Sequence, residues 1–237
     1  AATRFGIGSL GFSALMAVHA QYLAGRSESE YIANSERLFR RAIAKLVYPE
    51  ARQLIDAHRE KGHSIAIISS ATPYQVIPAA KDLGIDNVYA TDLEVVDGYF
   101  TGSVVTPTCF GEGKVLAAEA FAEDHGGSVD RSFFYSDSTD DIALLETVGY
   151  PVVLNGSKQL RVIAAEKRWP SADFSSRGNA SGGEIMRSLA ATGSLVSSFV
   201  MALPLYMLSG SRRDAANFSI SLFADTASAL IGMKLDV

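Results

Sequence analysis

The chain contains a single cysteine, Cys109, among its 237 residues. This count excludes an internal disulfide and a zinc site of four cysteines, and it fits a reducing, cytoplasmic compartment. Lysine and arginine together number 21 against 26 aspartates and glutamates, and the formal net charge is −5. Because no basic patch stands out, we do not expect nucleic acid as a partner.

The opening residues also lack the pattern of a secretory signal. Arg4 is not followed by an apolar stretch with a cleavage site. The first residue is Ala1 rather than methionine, so we expect the sequence to begin inside a longer protein. No internal repeat is evident, and a 48% share of apolar residues predicts that most of the chain folds into a globular protein.

The chain divides into four regions that differ in composition and in the spacing of apolar residues. Residues 1–47 have helical spacing of apolar side chains, and residues 48–170 alternate helices with short β-rich runs. Residues 171–187 are rich in serine, glycine and asparagine, which predicts a linker. Residues 188–237 form an apolar tail.

Residues 48–170 predict an α/β fold. The predicted strands are 64–70, 87–90, 132–135 and 151–154, with a hairpin at 93–100, and the predicted helices are 49–61, 73–83, 113–124, 141–145 and 159–169. Strands and helices that alternate through short links indicate right-handed crossovers and a Rossmann-like parallel sheet. Ligands of such sheets bind at the carboxyl ends of the strands.

Polar side chains stand at two of these strand ends. Ser69 and Ser70 offer hydroxyl and backbone N–H groups to a phosphate, and Lys114 opens a helix after a glycine-flanked turn. Such a lysine can meet a phosphate or hold a carboxylate in its ionised form. Asp137 and Asp141 are hard oxygen ligands of the kind that Mg²⁺ prefers.

In this order, the segments resemble three motifs of the haloacid dehalogenase (HAD) superfamily. IAIIS, ending at Ser69, resembles motif two, CFGEGKV with Lys114 resembles motif three, and YSDSTDD with Asp137 and Asp141 resembles motif four. Residues 91–102 and 149–170 resemble subfamily IB, the phosphoserine-phosphatase-like branch. The resemblance covers roughly residues 48–170, and residues 1–47 then correspond to a remnant of the helical cap.

The resemblance implies a Mg²⁺-dependent phosphomonoester hydrolase that forms an aspartyl-phosphate. By resemblance, Ser69 and Lys114 are catalytic and neutralise the transferring phosphoryl group, with Ser70 at the phosphate-binding turn. Asp137 corresponds to the magnesium ligand, and Asp141 orients the shell around the metal.

The sequence departs from the family at its first motif, which is Asp-x-Asp. No Asp-x-Asp occurs anywhere in the chain. The nucleophile, the general acid and their central strand, which in the family lies between the strands that end near Ser69 and Ser136, are therefore missing. We expect the chain by itself to be inactive, and we expect the two flanking strands either to close up or to leave the protein prone to aggregation.

The tail predicts two helices that contact a membrane. Residues 188–211 include no charged side chain, and the basic pair Arg212-Arg213 precedes a second apolar segment. This part resembles the junction in bifunctional proteins that join a HAD domain to a lysophosphatidic acid acyltransferase. It implies a location at the inner face of the membrane, with a lipid or small-molecule phosphomonoester as substrate.

Three hypotheses of function remain open at this point. The first is the phosphatase, the second is the accessory region of a membrane-associated acyltransferase in phospholipid biosynthesis, and the third is a non-catalytic phosphate-binding module. The four histidines, His19, His58, His63 and His125, are scattered along the sequence, and their spacing predicts no metal site.

Overall fold

The computed structural model describes residues 9–175. They lie in the first of two compact units, Ala1–Arg177, and the second unit, Gly178–Val237, is outside the described residues. The predicted helical pair at 188–237 and the linker from residue 176 onward are therefore outside them as well.

The described residues form helices and short strands in alternation. The α-helices are α1 (Ser9–Leu23), α2 (Glu28–Leu38), α3 (Pro49–Glu60), α4 (Pro73–Leu83), α5 (Glu112–Asp124), α6 (Ile142–Thr147) and α7 (Lys158–Lys167). The strands are β1 (Ala66–Ile68), β2 (Asn87–Tyr89), β3 (Leu93–Val96), β4 (Tyr99–Val104), β5 (Phe133–Ser136), β6 (Tyr150–Leu154) and β7 (Ser171–Ala172). A π-helical turn (Phe39–Ile43) and a 3₁₀ turn (Ala44–Leu46) extend α2 towards α3.

The parallel strands form two separate groups. β1 pairs with β2, and β5 pairs with β6, which in turn pairs with β7, all in parallel register. β3 and β4 form an antiparallel hairpin, as the sequence predicts. The mixed α/β fold with parallel sheets is confirmed.

Neither β1 nor β5 has a strand on its second edge among residues 9–175. These are the two strands between which the family resemblance puts a central strand. The described residues contain no β1–β5 ladder, so the flanking strands do not close up there. The alternative expectation, that the protein is prone to aggregation, stays a prediction. Within residues 9–175, the outer N–H and C=O groups of both strands have no partner strand.

Other differences from the sequence expectations concern element ends. The strand predicted at 64–70 is shorter, and the hairpin extends beyond residue 100 to Val104. Ser171 and Ala172, assigned to the linker, instead form β7 beside β6. A segment of two residues is too short to show the apolar pattern of a strand. Its conformation is decided by pairing with β6, which the sequence does not reveal.

The amino-terminal helices pack on the hairpin. Ser27 accepts a hydrogen bond from the backbone N–H of Glu30 and so caps α2. A buried cluster joins α1 to β3 and β4, and its members are Phe12, Met16, Ala20, Leu23, Leu93 and Phe100. The predicted cap remnant therefore shares a core with the hairpin at 93–104.

A second apolar cluster lies beneath the β5–β6–β7 sheet. Leu145, Val153, Leu160 and Ala164 are all at most 1% exposed. α6 and α7 thus bury one face each against β6, and this packing fixes the position of the loop that follows β5.

Among the described residues, no helix combines the length and apolar character needed to cross a bilayer.

We predict that replacing Leu160 by alanine lowers the free energy of unfolding by about 2–5 kcal/mol, because a fully buried leucine leaves a cavity. Val162, on the same helix, is 60% exposed, and its replacement by alanine should change stability by less than about 0.5 kcal/mol. Urea unfolding of both variants, followed by circular dichroism, measures the difference. Equal effects of the two changes would contradict the packing of α7 described here.

Candidate active site

The carboxyl end of β1 leads into a tight polar turn. The backbone N–H of Ser69 donates to the carbonyl of Tyr89 at 2.9 Å, which continues the β1–β2 pairing by one residue. The Ser69 hydroxyl oxygen accepts from the backbone N–H of Ala71 at 3.2 Å. Both Ser69 and Ser70 are half-buried, and α4 begins three residues after Ser70. The hydroxyls and N–H groups of this turn can therefore face an anion at the strand end.

The carboxyl end of β5 carries a buried acid. The Ser136 hydroxyl donates to Oδ2 of Asp141 at 2.5 Å, and its oxygen accepts from the backbone N–H of Ser138 at 3.0 Å. A 3₁₀ turn over Thr139–Asp141, capped by Ser138, carries the chain from β5 into α6. The turn brings Asp141 back over the strand end, where only 7% of the residue is exposed.

Lys114 lies in the first turn of α5 and is 7% exposed. The residue before it, Gly113, packs against the carbonyl of Thr108, and a Cβ at Gly113 would come within 1.9 Å of that oxygen. Glycine is therefore required for the loop to approach the helix so closely. This close approach sets where the Lys114 side chain enters the site.

Lys114 and Asp141 form a buried ion pair. Nζ of Lys114 lies 2.5 Å from Oδ1 of Asp141, and both side chains are 8% exposed. Removing two charges from water is costly, and their mutual attraction offsets that cost only while both partners remain. Because the Ser136 hydroxyl donates to Oδ2, both oxygens of the Asp141 carboxylate have a hydrogen-bond partner.

Cys109 connects this pair to the β1 turn. It is 5% exposed, and its thiol donates to the carbonyl of Tyr89 at 3.6 Å, the same carbonyl that accepts from the backbone N–H of Ser69. The thiol lies within electrostatic range of Lys114 and Asp141. Burial raises the pKa of the Cys109 thiol, and the nearby Lys114 ammonium only partly opposes that rise. The thiol is therefore protonated at neutral pH, as expected of a buried cysteine that packs rather than reacts.

Asp137 is placed differently from Asp141. It is exposed, and within residues 9–175 no side-chain hydrogen bond or ion pair involves its carboxylate. Its backbone carbonyl accepts from the N–H of Ser157 at 3.2 Å, which ties the strand end to the loop before α7. The neighbouring Asp140 is less exposed, and burial together with the Asp141 charge raises the pKa of its carboxyl group.

The structure thus brings Ser69, Lys114 and Asp141 together. Cys109 lies between the Ser69 turn and Lys114, and Lys114 forms an ion pair with Asp141. From its sequence position Lys114 can meet either a phosphate or a carboxylate, and its partner in this structure is Asp141. Ser136 was missed. A serine that ends a buried strand has no distinguishing pattern, and only its spacing of five from Asp141 hinted at a partner.

The donor set present fits part of a magnesium site. The free, exposed carboxylate of Asp137 suits a hard cation. Among the described residues no group of three or more histidine, cysteine, aspartate or glutamate side chains converges on one point. Asp137 would therefore hold the ion together with water and with groups that these residues do not supply.

Two contacts tie the amino-terminal helices to the neighbourhood of the site. Phe12 of α1 stacks on Phe110, beside Cys109, with ring centroids 4.3 Å apart. The Tyr74 hydroxyl, in the first turn of α4, donates to the Glu28 carboxylate at 2.8 Å. Burial and this bond to Glu28 raise the pKa of Tyr74, so the hydroxyl stays protonated. These contacts place α1 beside the loop that carries Cys109 and α2 beside the start of α4.

Parallel strands whose carboxyl ends carry serine and aspartate, with a lysine from the first turn of α5 beside them, define an α/β protein with a candidate phosphate-binding edge. A family model of haloacid dehalogenase-like hydrolases matches residues 2–146, and the chain belongs to this family.

Its curated relatives include several phosphatases. The chain is 34% identical over 154 residues to phosphoserine phosphatase SerB1 of Mycobacterium tuberculosis, covering 65% of this chain and 50% of that protein. It is 30% identical over 171 residues to the histidinol-phosphatase of Neisseria meningitidis, covering 70% and 77% respectively. The chain spans about half the length of the mycobacterial relatives that it matches.

Solved structures support the same fold. A Bordetella pertussis protein of unknown function is 30% identical, with a TM-score of 0.64 over 68% of this chain and 74% of that one. A phospho-aspartyl intermediate analogue of phosphoserine phosphatase matches with a TM-score of 0.51 at 20% identity, over 64% and 69% of the two chains. At that identity the second likeness concerns the fold alone.

We predict strong coupling between Lys114 and Asp141. The single changes Lys114→Met and Asp141→Asn should each lower the free energy of unfolding by about 3–5 kcal/mol, because each leaves a buried partner unpaired. The double variant should lose less than the sum, with a coupling energy of at least about 1 kcal/mol. Denaturant unfolding of the four proteins measures this cycle.

Lys167 and Glu146 provide a matched control, since their ion pair of 2.6 Å is 42% and 47% exposed. Lys167→Met should cost less than about 1 kcal/mol. Strict additivity of the Lys114 and Asp141 changes would show that the two side chains do not act as a pair.

Proposed function

We propose that this chain carries the phosphate- and metal-binding side of a Mg²⁺-dependent phosphomonoester hydrolase of the HAD type. The observation that carries the proposal is the buried Lys114–Asp141 pair beside the Ser69 turn, with the free carboxylate of Asp137 on the same loop as Asp141. A buried lysine held by a carboxylate at the rim of a parallel sheet is suited to a developing phosphoryl charge.

Each polar residue of the site has a separate role in binding the phosphoryl group or the metal ion. The Ser69 hydroxyl and the N–H groups of the turn through Ser70 bind phosphoryl oxygens. Lys114 supplies positive charge to the same oxygens, while Asp141 holds the lysine in place and keeps it charged. Asp137 holds the magnesium ion, which when bound supplies further positive charge to the phosphoryl group.

The substrate class follows from the relatives and the cap. Two relatives are named for phosphoserine and for histidinol phosphate, both small phosphomonoesters. In this chain, Phe12 of α1 contacts Phe110 beside Cys109, and Glu28 of α2 contacts Tyr74 at the start of α4, so both helices border the neighbourhood of the site. We therefore infer a small phosphomonoester as the substrate.

The sequence itself limits what this chain does alone. Phosphoryl transfer through an aspartyl intermediate needs a carboxylate nucleophile in line with the phosphorus. The chain has no Asp-x-Asp, and the described residues leave the facing edges of β1 and β5 without a strand. We infer that these 237 residues bind the phosphate group without turning it over.

We predict no Mg²⁺-dependent release of phosphate from O-phosphoserine, histidinol phosphate or p-nitrophenyl phosphate by this chain. Extending its amino terminus by an apolar strand that ends in Asp-x-Asp should produce turnover, because the strand supplies the nucleophile between β1 and β5. Phosphate release is followed colorimetrically with and without Mg²⁺. The extension with its first aspartate changed to asparagine should remain inactive.

Two further variants tie any turnover to the proposed site. In the extended protein, Lys114→Ala and Asp137→Asn should each lower kcat/KM by about 100-fold or more, a cost typical of losing one stabilising group. Glu112→Gln, a change of an exposed residue in the same helical turn, serves as the control. Turnover by the unextended chain, or full activity of the Lys114→Ala variant, would refute the proposal.

The two other hypotheses have separate outcomes. A non-catalytic phosphate-binding module would bind phosphate through Ser69 and Lys114 and stay inactive even with the added strand. The hypothesis of an acyltransferase accessory region depends on residues 188–237. Membrane contact, a lipid substrate and a location at the inner membrane face depend on the same tail, and all stay predictions.

A further inference from the structure

Two histidines converge at the end of α3, away from the strand ends that form the candidate site. His58 lies in the last turn of α3, and His63 lies in the loop between α3 and β1. Their Nδ1 atoms are 2.8 Å apart. At that distance one nitrogen must donate and the other accept, so at most one proton lies between the two rings. At least one Nδ1 lone pair therefore faces the gap between them.

The two rings are held in place by β5. Nε2 of His58 hydrogen-bonds the hydroxyl of Tyr135 at 2.7 Å. The His58 ring meets the edge of Phe133 with centroids 5.1 Å apart, and the His63 ring stacks on the same phenylalanine at 6.0 Å and 21°. The Nδ1 atoms are therefore oriented towards each other by contacts from outside the pair.

This arrangement matches what a transition metal requires from two imidazoles. Metal–nitrogen bonds of about 2.0–2.1 Å put two nitrogens at neighbouring right-angled positions roughly 2.9 Å apart, and at tetrahedral positions roughly 3.4 Å apart. The observed separation of 2.8 Å matches the first case and is shorter than the second. Binding requires the hydrogen bond between the two rings to open and the rings to turn, so that both Nδ1 lone pairs point at one ion. His63 is exposed, so water can fill the remaining coordination positions.

The partner of His58 fits the same chemistry. Histidines that bind a metal commonly donate their other ring N–H to a hydrogen-bond acceptor, which fixes the tautomer. When Nδ1 of His58 binds the metal, the Nε2–H of the same ring donates to the Tyr135 hydroxyl oxygen. The tyrosine hydroxyl stays protonated and neutral, since burial raises the pKa of Tyr135, and so it leaves the net charge of the site unchanged.

We propose that His58 and His63 form a two-histidine binding site for a divalent transition-metal ion of the imidazole-preferring class, such as Zn²⁺, Ni²⁺ or Cu²⁺. The site is distinct from the magnesium position proposed at Asp137, because imidazole suits these ions and carboxylate suits Mg²⁺. It does not depend on the phosphatase proposal. Since it forms only when the α3–β1 loop is folded against Phe133, bound metal stabilises the fold.

The test uses the full chain without a histidine tag, titrated with NiCl₂ or ZnCl₂ in a calorimeter. We expect binding of one equivalent, together with a rise of the unfolding temperature, whereas MgCl₂ should produce no binding at this site. His63→Ala and His58→Ala should each abolish the one-equivalent binding. Tyr135→Phe should retain the stoichiometry and weaken Kd by about tenfold or more.

His125 provides the matched control. It is an exposed histidine whose Nδ1 is bonded to the carbonyl of Phe121 at 2.9 Å, and His125→Ala should bind metal as the parent does. His63 is exposed, so its loss should leave the circular dichroism spectrum unchanged. No binding by the parent at millimolar metal, or undiminished binding by His63→Ala, would overturn the proposal.

Discussion

The buried ion pair between Lys114 and Asp141 organises the polar edge of this protein. Lys114 comes from the amino terminus of α5 and Asp141 from the turn after β5, so the pair joins a helix to the end of a strand in the β5–β6–β7 sheet. Ser136 satisfies the second carboxylate oxygen, and Cys109 links the lysine to the Ser69 turn. Because two desolvated charges tolerate little displacement, the pair constrains the strand ends that surround it.

Much of this arrangement could be predicted from residue order. Short apolar runs that end in serine or aspartate predicted parallel strands with polar carboxyl ends, and glycine beside Lys114 predicted a helix start. The structure adds the partner of each side chain. A sequence does not state whether a lysine faces a phosphate or a carboxylate, since both present the same oxygen atoms, and only three-dimensional proximity decides that Lys114 meets Asp141.

What escaped prediction depended on contacts between distant residues. β7 has two residues and exists because β6 offers an edge. His58 and His63 carry no metal signature at a spacing of five, because the final turn of α3 and the following loop must bend before the two rings meet. Phe133 and Tyr135, some seventy residues later in the chain, then set the ring orientation. Local pattern cannot encode such an arrangement.

The position of Cys109 has a practical consequence. It is the only thiol in the chain, and it is buried between the Ser69 turn and the Lys114 side chain. A thiol in that place reacts with an alkylating reagent only when the surrounding loop opens, since the reagent needs both access and the thiolate. The rate of alkylation therefore reports how often this region opens. An oxyanion bound between Ser69 and Lys114 would lower that rate, so the native cysteine would report oxyanion binding.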